Sequence, residues 1–135
     1  ISSNNELQHI DGLSDLQEIF GGIQIYSNEM LNNIDSLQGL SNIEGTLRLY
    51  SNSNLVNLDG LNNIENISGD IFIYSNESLE QIDGLFNVEN VDGDINISYN
   101  NILCFNDVQV FLVQIQSSGW TGNADNLGNN GICTN

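Results

Sequence analysis

Proline and lysine are absent, and arginine and histidine occur once each, as Arg48 and His9. Against that one fixed cation stand 18 Asp and Glu residues, for a net charge of −17 at pH 7. A chain this poor in cations cannot neutralise phosphates, which excludes nucleic acid and anionic membrane surfaces as partners. The charge favours solubility, repulsion between like copies, and divalent cations or basic partners. No stretch approaches the roughly 18 consecutive apolar residues of a membrane span, so direct membrane insertion is not expected. The lack of proline is compatible with regular, stacked backbone. With a single histidine there is no His-based metal-ligand spacing, and no nucleophile motif is present, so neither catalysis nor a cofactor is expected. Threonine occurs only at 46, 121 and 134, too rarely for the threonine rows of flat ice-binding solenoids. Cysteine occurs twice, at Cys104 and Cys133, bracketing the C-terminal tail. A disulfide and two free thiols both fit such a pair.

What is present is a repeat. The 135 residues suit one domain, and a hydrophobic fraction of 39% is enough for a core. Aliphatic residues recur every 24 positions. One column runs Ile23, Leu47, Ile71 and Ile95, and the next Ile25, Leu49, Ile73 and Ile97. Others run Leu31, Leu55 and Leu79; Ile34, Leu58 and Ile82; and Leu37, Leu61 and Leu85. A glycine recurs at Gly21, Gly45, Gly69 and Gly93. So many aliphatic columns cannot share one helix face. They come in pairs and triples separated by turn residues, which predicts short strands whose side chains converge inward. Asp-Gly at 11–12, 59–60 and 83–84 predicts turns, read here as left-handed backbone that both residue types tolerate. The glycine column predicts a corner. One coil cannot close a core alone, but stacked coils bury a continuous aliphatic column. The expectation is an all-β solenoid of 24-residue coils over residues 1–103, with a capping element at 104–135. In the cap, Val108, Phe111, Leu112 and Ile115 have helical spacing, with Asn106 or Asp107 as N-cap, and Trp120 plugs the same end.

The segments "IQIYSN", "LRLYSN" and "IFIYSN" fit the L-x-L-x-x-N heart of leucine-rich repeats, although Glu44, Ser68 and Asp92 stand where a leucine belongs. The glycine corner, I-x-I strand and L-D-G-L turn more closely resemble the receptor L domain, the module found in insulin and epidermal growth factor receptors. The ending "NNILCFNDVQVFLVQI", followed by a tryptophan and "NNGIC", is similar to that family's close. The resemblance implies a right-handed parallel β-helix, a bond between Cys104 and Cys133, and an extracellular, non-catalytic role. Receptor activity and growth-factor binding are not carried over.

Stacking turns each position into a row of like side chains. Asn28, Asn52, Asn76 and Asn100, extended by Asn4, form a row read as an inward ladder of amides holding a bend. Asp11, Asp35, Asp59, Asp83 and Asp107 form an acidic row, each expected to cap its own turn, with bound calcium as the alternative. Tyr26, Tyr50 and Tyr74 alternate with the inward isoleucines and so point out, beside Gln24, Arg48, Phe72 and Asn96. Tyr26, Tyr50, Tyr74, Arg48 and Phe72 are the candidate binding face; stacking that merely stiffens the sheet is the competing reading. Sequons stand at Asn66, Asn76 and Asn96, and an inward Asn76 makes Asn66 and Asn96 the better glycan acceptors.

The leading expectation is an extracellular, secreted or cell-surface module that recognises proteins or glycans on a rigid scaffold. The chain starts at the first strand, Ile1, with nothing upstream over it, so an earlier segment or another chain is expected to cover that end. This motivates the alternative of a self-associating fibre subunit. A carbohydrate-active enzyme is a distant third.

Overall fold

The computed structural model describes residues 1–133, so the last two residues assigned to the cap, 134 and 135, lie outside the described residues. Four strands of the repeat, β1 (Ile23–Tyr26), β3 (Leu47–Tyr50), β5 (Ile71–Tyr74) and β7 (Ile95–Ser98), lie side by side in one parallel sheet. The register carries each aliphatic column straight through: Ile23 pairs with Leu47, Leu47 with Ile71, and Ile71 with Ile95. Alternation does the rest, because Ile25, Leu49, Ile73 and Ile97 point to the same side and are buried. A second parallel sheet joins three two-residue strands, β2 (Asn42–Ile43), β4 (Asn66–Ile67) and β6 (Asn90–Val91). The core between the sheets is almost wholly aliphatic and includes the leucines of the turns.

The Asp-Gly turns differ from expectation. Asp11–Leu13, Asp35–Leu37, Asp59–Leu61 and Asp83–Leu85 are single turns of 3-10 helix, and their glycines do not have positive φ. The residue before each aspartate is the N-cap, an Ile or Leu whose side chain makes no capping bond, and the aspartate carboxylates do not bond their own turn amides. The amides of Asp35 and Asp59 instead donate to Asn33 Oδ1 and Asn57 Oδ1, at 3.2 and 3.0 Å. The glycine is there for space: a Cβ on Gly60 or Gly84 would overlap the carbonyl of Ile34 or Leu58 in the coil beneath. Crowding also explains the corner column from Gly45 on, where a Cβ on Gly45 would lie 2.7 Å from Gly22 N, whereas Gly21 has nothing within 4 Å.

The left-handed residue falls elsewhere. Ser27, Ser51 and Ser75 have φ of 53°, 55° and 55°, directly after the strand tyrosines. Each serine reverses the chain's facing, so the next residue, an asparagine, turns inward. Asn28, Asn52, Asn76 and Asn100 are each 0% exposed. The side chain of Asn52 is bonded on both ends. Its Nδ2 donates to Ile25 O at 2.9 Å, and its Oδ1 accepts from Asn28 N and Nδ2, both at 3.2 Å. The pattern repeats coil by coil, and no buried side-chain polar atom among the described residues lacks a partner.

The cap contains α1 (Phe105–Ser117), whose buried face is Val108, Phe111, Leu112 and Ile115. Its N-cap is Cys104 and no side chain caps it, so neither Asn106 nor Asp107 has that role. Gln114 Nε2 donates to Phe86 O at 2.8 Å, and half-buried Trp120 donates to Gly93 O at 2.8 Å, fastening the cap to the last repeat. A further short strand, β8 (Ala124–Asp125), pairs parallel with β7 in the register Ile95 to Ala124. The ladder ends on this segment, with Asn100 N donating to Asn129 Oδ1 at 3.1 Å. Cys104 and Cys133 form a disulfide with Cα atoms 5.0 Å apart and a sequence separation of 29. Asn100 to Asn129 spans the same 29 positions, so the disulfide joins matching places on successive coils.

Candidate functional site

The outward side chains of the five-stranded sheet form two adjacent rows. In the first, Tyr26, Tyr50 and Tyr74 stack face to face, with ring centroids 4.6 and 4.8 Å apart and planes within 4° and 7° of parallel. That spacing is the spacing between strands, so the sheet itself sets the stack. Loss of water between flanking rings, and then repulsion from the Tyr26 and Tyr74 phenolates, raise the Tyr50 phenol above its ordinary value, against a smaller lowering by Arg48. In the second row, Gln24, Arg48, Phe72 and Asn96 lie in register. The Arg48 guanidinium sits 5.1 Å from the centre of the Phe72 ring, a cation–π arrangement. The one contact of a basic side chain with a carboxylate among the described residues is His9 with Asp11, at 3.0 Å and well exposed, so Arg48 has no carboxylate partner there.

The stack stops at β7. Its fourth position is Ser98, because the fourth repeat reads Ser98-Tyr99-Asn100 where the others read Tyr-Ser-Asn. The tyrosine has moved to the left-handed position: Tyr99 has φ of 54° and is 56% exposed. An open depression of about 330 Å³ results, lined by Arg48, Phe72, Tyr74, Asn96, Ser98 and Tyr99. Ser98 Oγ donates to Asn96 Oδ1 at 2.5 Å in its floor. The sequence reading brought Tyr26, Tyr50, Tyr74, Arg48 and Phe72 to one face, and they lie on one sheet surface. It did not single out Ser98 and Tyr99, although the reversed triplet was the signal.

Of the other residues singled out, all but Asn96 lie apart. The acidic row is exposed at Asp11, Asp35 and Asp83 and half-buried at Asp59, while Asp107 belongs to α1. Among the described residues no group of three or more His, Cys, Asp or Glu is arranged to hold a metal ion. Of the sequon asparagines, Asn76 is buried in the ladder and Asn66 and Asn96 are half-buried. Asn66 belongs to a second, outward ladder: its Nδ2 donates to Asn42 Oδ1 at 2.7 Å, and its Oδ1 accepts from Asn90 Nδ2 at 2.8 Å.

No curated protein and no solved structure matches the chain. A family model, described as receptor L domain, matches residues 1–115, which takes in every strand but β8, the four 3-10 turns and most of α1. With its repeated strand, 3-10 turn and asparagine bend, the chain belongs to the receptor L domain family.

Proposed function

We propose that the chain is an extracellular, secreted or cell-surface recognition module, non-catalytic, which presents the outer face of its five-stranded sheet to a protein or glycan ligand. The observation that carries this reading is the composition of that face. Stacked tyrosines, Phe72 and an arginine with no carboxylate partner among the described residues are gathered on one surface of a chain that has no other Lys or Arg. Aromatic and arginine side chains are the residue types that dominate binding energy at interfaces. Membership of a family of ligand-binding modules supports the reading, as does a disulfide, which persists in oxidising compartments. No helix among the described residues is long and apolar enough to cross a membrane. The scaffold is proposed to be a right-handed coil of 24 residues, one domain over 1–135, because strand partners and ladder bonds connect positions 24 apart.

The test is binding to an array of extracellular proteins and glycans. Tyr50→Ser and Phe72→Ser should each weaken binding of the ligand found by tenfold or more, as expected for truncating an interface anchor of about 1.4 kcal/mol or above. Val113→Ser, on the exposed face of α1, should leave it unchanged. Equal affinity for all three variants would contradict the reading. Glycans on Asn66 or Asn96 rather than Asn76 belong to the same proposal, because a sugar on Asn76 Nδ2 displaces its bonds to Leu49 O and Asn100 Oδ1; a glycan on Asn96 would stand on the sheet face itself, so there it and a ligand exclude each other. Glycopeptide mapping from a glycosylating host checks this.

A second reading is self-association. Leu7, Leu13, Leu16 and Ile19 of the first coil are only partly buried, whereas their column mates Leu31, Leu37, Leu40 and Ile43 are at most 2% exposed. Light scattering across a concentration series should then show growth that salt promotes by screening the acidic charge.

A further inference from the structure

Resting on the reading of the outer sheet face as the recognition surface, we propose that the depression beside Tyr74 is a site for one carboxylate-bearing sugar ring at the end of a glycan. Three observations define the ligand. The first is shape. Within the tyrosine stack only the outer faces of Tyr26 and Tyr74 have no ring against them, and of these Tyr74 borders the depression. Ser98 stands where a fourth ring would cover Tyr74, so the slot is one rung deep and has a flat apolar wall. Tyr99, held outward by its left-handed backbone, lines the same opening. A ring-shaped ligand fits such a slot, with the C–H face of a pyranose against the tyrosine.

The second observation is polar chemistry. Asn96 Nδ2 makes only a 3.5 Å contact with Asp125 Oδ2, so its N–H donors are almost fully available. The buried Ser98 hydroxyl already donates to Asn96 Oδ1, which leaves the Asn96 Nδ2 as the floor's donor to a sugar hydroxyl. The third is charge. The Arg48 guanidinium carbon lies 5.1 Å from the Phe72 ring centre and has no carboxylate partner within 4.0 Å among the described residues. A guanidinium free of such a partner keeps its N–H fork for bidentate binding of a carboxylate. The rest of the molecule limits that charge to one. A net charge of −17 repels polyanions, so a sulfated polymer is disfavoured where a single terminal carboxylate is accepted.

The experiment is a protein-observed NMR titration with the methyl glycosides of sialic acid, glucuronic acid and glucose. An acidic glycoside should shift the amide signals of residues 72–74 and 96–99, and should bind about tenfold more tightly than methyl glucoside, the share of one charge-assisted contact. Arg48→Gln should bring the acidic probe down to the neutral level. Ser98→Tyr should complete the stack, fill the slot and abolish binding of both probes; the register that pairs Tyr50 with Tyr74 pairs Tyr74 with position 98. Absence of an acidic preference, or binding that survives Ser98→Tyr in a folded protein, overturns the proposal. If acidic sugars fail while an array ligand is still lost on Tyr50→Ser, the sugar assignment is wrong and the sheet-face reading stands. Acidic-sugar shifts confined to other parts of the molecule overturn both.

Discussion

At the scale of the residue, the Tyr-Ser-Asn triplet divides three tasks among neighbours. Tyrosine extends the outer stack, serine takes the left-handed conformation, and asparagine turns in to bond the coils together. The asparagine is the member that stability depends on. Replacing Asn52 with alanine removes the acceptor for Asn28 N and the donor to Ile25 O, both in buried surroundings. An unsatisfied buried group costs about 1–3 kcal/mol, so Asn52→Ala should lose about 2–5 kcal/mol in urea denaturation. Asn4→Ala, at the exposed end of the same ladder, should lose under about 1 kcal/mol. Tyr50 predicts an alkaline effect. Its folded pKa is raised, so its contribution is fully present below the unfolded value near 10 and is lost as pH rises through the higher folded value. Tyr50→Phe should therefore lose less stability than the parent between neutral pH and pH values above 10; equal losses would contradict the assignment. Alternation alone revealed which way Tyr50 and Ile25 face. It could not reveal Ser51, because serine is not a residue type that marks positive φ, whereas Asp-Gly is such a marker and drew that role to the wrong turn.

At the scale of the element, close stacking of backbone decides where glycine is needed. Gly60 faces the carbonyl of Ile34 with no room for a Cβ, while Gly12 has nothing within 4 Å. Gly60→Ala should cost about 1–3 kcal/mol and Gly12→Ala should fall within about 0.5 kcal/mol of the parent. Ser36 holds the matching place in the second coil. The cap is the element the periodicity hid. Gly93, Asn100 and Cys104 are matched by Gly122, Asn129 and Cys133, each 29 positions on, and Gly128 with φ of 72° takes the left-handed place of Tyr99. Inserting α1 lengthens this last turn of chain, so a search at a spacing of 24 passes over it. Reading the helix face from Val108 to Ile115 succeeded because burial on one side imposes helical spacing. The strand Ala124–Asp125 failed because alanine and aspartate carry no apolar alternation. Cross-linking residues separated by 29 stabilises by about 3–4 kcal/mol through the unfolded chain. Cys104→Ser should lose that much, with faster amide exchange in α1 and β8 and little change in β1 or β3.

At the scale of the whole molecule, the solenoid converts a repeated sequence into rows of like side chains, some turned inward and some outward. Its acidic surface keeps like copies apart, while the outer sheet face concentrates aromatic rings around Arg48. That contrast is the basis for assigning recognition to this face rather than to the acidic row or to α1. Residue-resolved footprinting of the complex, with whichever extracellular protein or glycan the array identifies, tests the assignment most directly. Protection should fall on the side chains of Tyr26, Tyr50, Phe72 and Tyr74, with the surface of α1 around Val110 and Val113 unchanged. Protection confined to α1, or to the partly buried leucines of the first coil, would contradict it.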